Sequence, residues 1–245
     1  EVEIGEENYI YFASEKKALL SLMDNIGVDI DKIGLQDYFS YRYVPEPRTM
    51  HQGIKRLLPG HYFTCGLGKT MKIERYWKPV FKTQEKAEEK IIKDIREALF
   101  DSVERQMKTK VEVGALLSSG IDSTIIASIA KEFKGDLSTY TVYFDEGYSE
   151  LEVAEETANI LGLENIPIKI TCKEYMEVFP KLVYHMDDPL SDESAIALYF
   201  ASREAKSDVG ILLSGEGADE LFGGYRIYKE PLQFEFFKYI PSFVK

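Results

Sequence analysis

Three observations predict an α/β fold for this chain, with a parallel, doubly wound sheet behind a smaller β-rich front. From residue 111 onward, strand patterns alternate with helical ones: strand 111–117, helix 123–134, strand 137–144, helix 150–161, strand 165–170, a helical stretch, helix 193–206 and strand 209–213. Strands separated by helix-length segments pair in parallel, because each connection must cross the sheet, and the crossing helices cover both faces. Two of these strands end in short turns rich in Ser and Gly, at residues 117–123 and 214–225. A charged run from Lys82 to Lys90 then separates residues 1–80 from residues 81–245.

The front carries its own signals. Asn8-Tyr9-Ile10-Tyr11-Phe12 reads as a strand, Ser14 to Leu22 as a short helix, and Leu35 to Tyr41 as another that ends before Pro45 and Pro47. His61 to Cys65 and Thr70 to Ile73 flank Gly66-Leu67-Gly68, a hairpin pattern. Past the charged run, Ile91, Ile92, Ile95, Ala98, Leu99 and Val103 recur at helical spacing and predict a long helix. Gly135 stands where a helix C-cap is expected, and Ser149 with Glu152 has the spacing of a capping box.

The first turn, Leu117-Ser118-Ser119-Gly120-Ile121-Asp122-Ser123, joins a strand to a helix. The first amides of a helix lack internal partners and lie at the positive end of its dipole, so such a turn attracts anions. Asp122 is an acid at an anion site, which makes sense if a cation arrives with the phosphate; the turn then reads as a magnesium nucleotide site. Ser, Gly and Asp also suit any strand-to-helix turn, so the loop alone leaves both readings open. It is not a Walker A loop, since no Lys stands at the required place.

The second turn, Ser214-Gly215-Glu216-Gly217-Ala218-Asp219-Glu220-Leu221-Phe222-Gly223-Gly224-Tyr225, places three carboxylates among four glycines. Parallel strands end on one edge of their sheet, and ligands bind beyond that edge. Both turns are therefore expected to face one crevice, with Asp122 and Asp219 reaching metal ions on one nucleotide. Glu216 is left for a second substrate. The competing reading is a glycine-rich surface turn with solvated acids.

At these residues the chain resembles the glutamine-hydrolysing asparagine synthetases. Leu117 to Ser123 resembles the pyrophosphate loop of N-type ATP pyrophosphatases, with Ser119 in place of the usual middle glycine. The second turn resembles the family's more specific signature. Asp188-Pro189-Leu190-Ser191-Asp192, Tyr199 to Ser202, Leu57 to His61 and Arg75-Tyr76-Trp77 extend the likeness along nearly the whole chain. The resemblance implies that residues 1–80 are the end of an N-terminal-nucleophile glutaminase domain without its cysteine nucleophile. It implies that residues 81–245 are the first part of the synthetase domain. In this family ATP adenylates the side chain of aspartate, pyrophosphate leaves, and ammonia from glutamine attacks the β-aspartyl adenylate.

The resemblance also implies roles. Ser118, Ser119, Gly120 and Ser123 cradle pyrophosphate, and Ser214 and Gly215 offer backbone groups to ATP. Asp122 and Asp219 bind Mg2+. Leu117 and Val142 pack the adenine, or are plain strand core. Glu216 faces the adenylate as a catalytic residue that helps deprotonate the incoming ammonium. The family's phosphate-facing lysine is assigned to neither Lys229 nor Lys238. A β-lactam synthetase-like enzyme and a non-catalytic nucleotide-binding domain stand as alternatives.

Composition limits the rest. The 245 residues carry a formal net charge of −12 and are 44% hydrophobic, enough for one large core or two modest ones. So acidic a chain shows no basic stripe for nucleic acid, and no apolar run is long enough for a membrane span. Cys65 and Cys172 lack metal-ligand spacing and are expected to be buried thiols. With no signal-peptide pattern at the start, the expected location is cytoplasmic. A homodimer is one arrangement the resemblance allows. Asp187 and Asp188 are expected either to line the substrate crevice or to form a capped turn before helix 193–206.

Overall fold

A computed structural model describes residues 2–4, 7–22, 29–66, 71–144, 149–189, 192 and 194–230. The elements in chain order are β1 (Val2–Ile4), β2 (Glu7–Tyr9), α1 (Lys16–Leu22), α2 (Lys32–Tyr41), β3 (His61–Thr64), β4 (Lys72–Arg75) and α3 (Glu88–Met107). They continue with β5 (Val113–Leu116), α4 (Ile121–Phe133), β6 (Ser138–Phe144), α5 (Leu151–Leu161), β7 (Glu164–Ile170), α6 (Cys172–Met186), α7 (Ser194–Ala205), β8 (Ile211–Leu213) and α8 (Ala218–Phe222). The chain divides into two units. One comprises Glu1–Lys86 with Lys173–Ile196; the other comprises Ala87–Cys172 with Ala197–Lys245.

In the first unit, β1 pairs antiparallel with β2, and β3 with β4, in a register running from His61↔Arg75 to Thr64↔Lys72. β4 therefore lies two residues later than the sequence pattern indicates, and Leu67 and Gly68 of the expected hairpin tip fall outside the described residues. α2 begins at an Asp31 N-cap whose carboxylate accepts the Gly34 N–H at 2.8 Å. The first amides of α1 are capped from far along the chain. Asp187 accepts the Lys16 N–H through Oδ2, and the Lys17 N–H at 3.0 Å through Oδ1. Asp187 adopts a φ of 67°, in the left-handed region that Asp tolerates better than most side chains.

Asp188 continues this network. Its carboxylate pairs with the buried ammonium of Lys16 and accepts Arg56 Nη2 at 2.8 Å and the Met50 N–H at 3.4 Å. Neither acid thus stands free for a substrate: Asp187 caps α1, not the helix that follows it, and Asp188 is a buried ion-pair partner. Burial by itself would raise the Asp188 carboxyl; the Lys16 hydrogen bond and charge, the Arg56 charge and the Met50 amide outweigh it and hold the group below the usual carboxylate range. Burial, and then the Lys16 charge, push the neighbouring His51 imidazole downward. Cys65 is exposed where β3 ends, and Cys172 is exposed at the start of α6. The expectation of buried thiols is corrected in both cases: each cysteine is exposed at the end of an element.

The second unit is built on a four-stranded parallel sheet in the order β7-β6-β5-β8. β5 is central, with Val113 and Ala115 buried and Gly114 against Tyr140. A side chain at Gly114 would meet the Tyr140 ring at 2.9 Å, so the two strands need glycine there to pack. α4 packs against β5, and α5 packs against β6 and β7. The core gathers Val103 of α3, Ala127, Ile129 and Ala130 of α4, Ala154 and Ala158 of α5, and Leu213 of β8. In α3 only the C-terminal half of the apolar stripe is used: Val103 is buried, whereas Ile91 and Ile92 are exposed. Among the described residues no helix is long and apolar enough to cross a membrane.

Two local expectations are corrected. α4 ends at Lys134 in extended backbone, so Gly135 is no left-handed cap; that role appears at Gly162, with φ 60°, behind α5. Ser149 accepts the Leu151 N–H at 3.3 Å, a tight serine turn instead of a capping box, and Glu150 stands as the residue before the helix.

Removing Asp188 leaves the Lys16 ammonium buried without its partner. The D188A variant is expected to lose about 3–5 kcal/mol of unfolding free energy, measured by denaturant titration. The folded carboxyl releases its proton more readily than the unfolded one. Its contribution is therefore complete above about pH 4 and is lost as pH falls below that value. D188N should accordingly show a flatter loss of stability on acidification than the native sequence.

Candidate functional site

At the carboxyl end of β5 the chain turns sharply, and its own hydroxyls hold it. Ser123 Oγ accepts the Ser118 N–H at 3.1 Å, lies 2.9 Å from Ser118 Oγ, and donates to the Gly120 carbonyl at 3.1 Å. Ser118 Oγ in turn accepts the Gly120 N–H at 3.0 Å. Thr124 Oγ1 donates to the same Gly120 carbonyl at 2.9 Å. This web fixes the turn at the N-terminus of α4, where Gly120 is the cap residue and makes no side-chain contact with the helix amides. The amides of Ile121, Asp122 and Ser123 open the helix and have no intrahelical acceptors. The loop therefore presents several N–H groups and the positive end of a helix dipole together.

Behind the turn, a buried polar thread supports it. The Leu117 N–H bonds the Tyr140 carbonyl at 2.9 Å, and the Leu117 carbonyl accepts from Thr141 Oγ1 at 2.7 Å. Asn165 Oδ1 lies 2.9 Å from Thr141 Oγ1 and 3.0 Å from Thr139 Oγ1, while its buried Nδ2 has no protein partner among the described residues. Leu117 is buried and Val142 half-buried, on neighbouring strands.

The second turn leaves β8, which lies next to β5 in register Ala115↔Leu213. The two turns meet. A Cβ placed on Gly215 would stand 2.9 Å from Asp122 Cβ, 3.0 Å from the Asp122 carbonyl carbon and 3.0 Å from the Ser123 nitrogen. Gly215 thus lies directly against the first turn of α4, and only glycine fits there. Ser214 Oγ accepts the Glu216 N–H at 3.4 Å, and Gly217, with φ 89°, starts α8. Asp219 sits in the first turn of α8 against Gly224, where a Cβ would collide with Asp219 Oδ1. The Gly224 N–H also bonds the Asp219 carbonyl at 3.0 Å.

The structure therefore brings Ser118, Ser119, Gly120, Asp122, Ser123, Ser214 and Gly215 into one contiguous surface at the end of two neighbouring strands. Glu216 is exposed beside them, and Asp219 lies a short step farther on α8. The Asp122 carboxylate has no hydrogen-bond or ion-pair partner among the described residues. That is the donor state a cation ligand needs, and Mg2+ takes oxygen ligands of this kind. Among the described residues no group of three or more His, Cys, Asp or Glu stands ready for a metal without a substrate. Glu220 is engaged elsewhere: it accepts the Tyr225 hydroxyl at 3.1 Å, and that bond raises the Tyr225 hydroxyl above its ordinary range.

Sequence reasoning missed two features. Thr139, Thr141 and Asn165 form a polar support inside otherwise apolar strands; the sequence shows Thr-Tyr-Thr on β6 but gives no sign of the partner. Glu150 reaches back to the first turn, with its Oε2 3.2 Å from the Ser119 nitrogen. A surface cavity of about 380 Å3, lined by Met107, Val111, Phe133 and others, lies at the amino end of β5 and not at the turns.

Comparison with known proteins supports the family resemblance read from the sequence. The asparagine synthase family model matches residues 94–243, and the glutamine amidotransferase domain model matches residues 3–77. The chain belongs to the asparagine synthase family. It is 48% identical over 237 residues to asparagine synthetase [glutamine-hydrolyzing] 1 of Bacillus subtilis, covering 96% of this chain and 37% of that protein. It is 41% identical to a putative asparagine synthetase [glutamine-hydrolyzing] of Mycobacterium bovis, covering 94% of this chain and 36% of that one. The chain thus spans little more than a third of the length of these two relatives. Among solved structures, an NH3-dependent NAD synthetase from Campylobacter jejuni is 20% identical with a TM-score of 0.40, covering 54% of this chain and 60% of that one.

G215A must push the two turns apart, since its Cβ meets backbone atoms that cannot rotate away. It is expected to lower the unfolding free energy by about 1–3 kcal/mol. G135A has open space around its Cβ and a φ outside the left-handed region. It should be neutral or raise stability by up to about 1 kcal/mol. Urea unfolding of the two variants side by side measures the contrast.

Proposed function

We propose that this chain supplies the ATP site of an enzyme that makes asparagine from aspartate with glutamine as the nitrogen donor. The observation that carries the proposal is the seating of Gly215 against Asp122 and Ser123 at the junction of β5 and β8, in a chain of the asparagine synthase family. In this reading ATP lays its phosphates along the turn formed by Ser118, Ser119, Gly120 and Ser123, at the open amides that start α4. Leu117 and Val142 flank the adenine, and Ser214 and Gly215 close the other side with backbone groups. Asp122 and Asp219 would hold Mg2+, which offsets the charge of the departing pyrophosphate.

The side-chain carboxylate of aspartate attacks the α-phosphorus of ATP, and the bond to pyrophosphate breaks. This gives β-aspartyl-AMP. Ammonia then adds to the acyl carbon and expels AMP. Glu216, exposed beside the turn, takes a proton from the incoming ammonium, so that the nucleophile arrives with a free electron pair. In the wider reading, ammonia comes from glutamine through the amidotransferase part of the protein. The enzyme is cytoplasmic, works on small molecules without nucleic acid or membrane, and forms a homodimer.

Two variants of the full-length protein separate these roles. D122N is expected to weaken MgATP binding at least about tenfold, because a charged ligand to the cation is gone. E216Q is expected to keep aspartate-dependent release of pyrophosphate while asparagine formation falls by a factor of about 100 or more. Calorimetric titration with MgATP and parallel assays of pyrophosphate and asparagine read the outcome. If no aspartate-dependent pyrophosphate appears with the native sequence, the proposal fails.

A further inference from the structure

The first four backbone amides of the turn, Leu117 to Gly120, are not equally committed. Leu117 donates to the Tyr140 carbonyl, Ser118 to Ser123 Oγ, and Gly120 to Ser118 Oγ. These three acceptors are neutral and belong to the sheet or to the turn itself. The fourth amide, Ser119, donates to the Glu150 carboxylate at 3.2 Å, and Glu150 comes from 31 residues away. Glu150 makes no side-chain bond to the start of its own helix, α5, where Ser149 takes the Leu151 amide. Nor does it have a basic partner among the described residues. Its negative charge is therefore matched by the Ser119 amide and the nearby N-terminus of α4, the same groups that attract a phosphate.

We infer that Glu150 is an intramolecular competitor for phosphate, seated on the Ser119 amide when the loop is empty and displaced when pyrophosphate or the ATP phosphates arrive. The inference rests on the nucleotide reading given above and adds a determinant of its affinity. A carboxylate oxygen and a phosphate oxygen carry the same sign and need the same N–H, so they cannot share it. Binding requires exchange, and after adenylation the return of Glu150 to Ser119 favours departure of pyrophosphate. An occupied competitor lowers apparent affinity by the fraction of molecules left competent. If about nine-tenths of the empty loops hold Glu150, its removal tightens binding about tenfold.

The test uses the full-length protein and its E150Q and E150A variants, titrated calorimetrically with pyrophosphate in EDTA and separately with MgATP. E150Q keeps the shape and an acceptor but removes the charge; E150A removes both. The inference expects E150Q to bind pyrophosphate about three- to tenfold tighter than the native protein, with E150A at least as tight. A result in which E150Q binds as the native protein does, or more weakly, overturns it. It would mean that Glu150 only braces the loop or serves as a cation ligand. Failure of all three proteins to bind either pyrophosphate or MgATP overturns the nucleotide site itself.

Discussion

The sheet order β7-β6-β5-β8 sends the chain outward from β5 in two directions, and the gap this opens at the carboxyl ends of β5 and β8 is where the two turns meet. They meet because residue 215 has no side chain. With Gly215 3.0 Å from the backbone of Asp122 and Ser123, measured from where a Cβ would stand, the second turn lies flat on the first turn of α4. Every candidate role at this edge depends on that approach. It brings the hydroxyls of one loop and the backbone of the other to one surface, and it starts α8, with Asp219, from a fixed point.

The first turn is held by its own side chains. Its serines bond to one another and to its own backbone, and the Thr141 hydroxyl ties the Leu117 carbonyl to the neighbouring strand. A turn held by its own side chains loses little conformational freedom on binding, which is the physical meaning of preorganisation. The departure from the family pattern at Ser119 fits this arrangement. In the structure it is the backbone amide of Ser119, not the side chain, that is engaged, so a serine serves there as well as a glycine.

The first unit follows a different logic. Its strands are short, its helices small, and much of its aromatic surface is exposed, including Phe12 and Phe39. What fixes residues 173–196 to it is electrostatic. Two consecutive acids at the end of α6 cap α1 and neutralise the buried Lys16. A buried pair of this kind adds little net stability over an apolar contact, yet losing one partner is costly. It specifies where the segment docks more than it adds to how tightly.

The sequence by itself determined the periodic parts. The order of strands and helices from residue 111 to 213 follows from apolar spacing and from turn residues, and the structure reproduces it to within a few residues. The strand-to-helix turn at residues 117–123 was legible because hydroxyls, glycine and a helix start lie next to one another in the chain. Tertiary structure alone decided the rest. Gly135 and Gly162 look alike in sequence, yet only Gly162 takes the left-handed cap. Asp187 and Asp188 turn toward Lys16, and Glu150 toward Ser119, across separations of 31 to 172 residues. Local patterns record which backbone a residue prefers; they hold nothing about which distant charge a carboxylate will meet, because that is set by how the packed elements bring the chain back on itself.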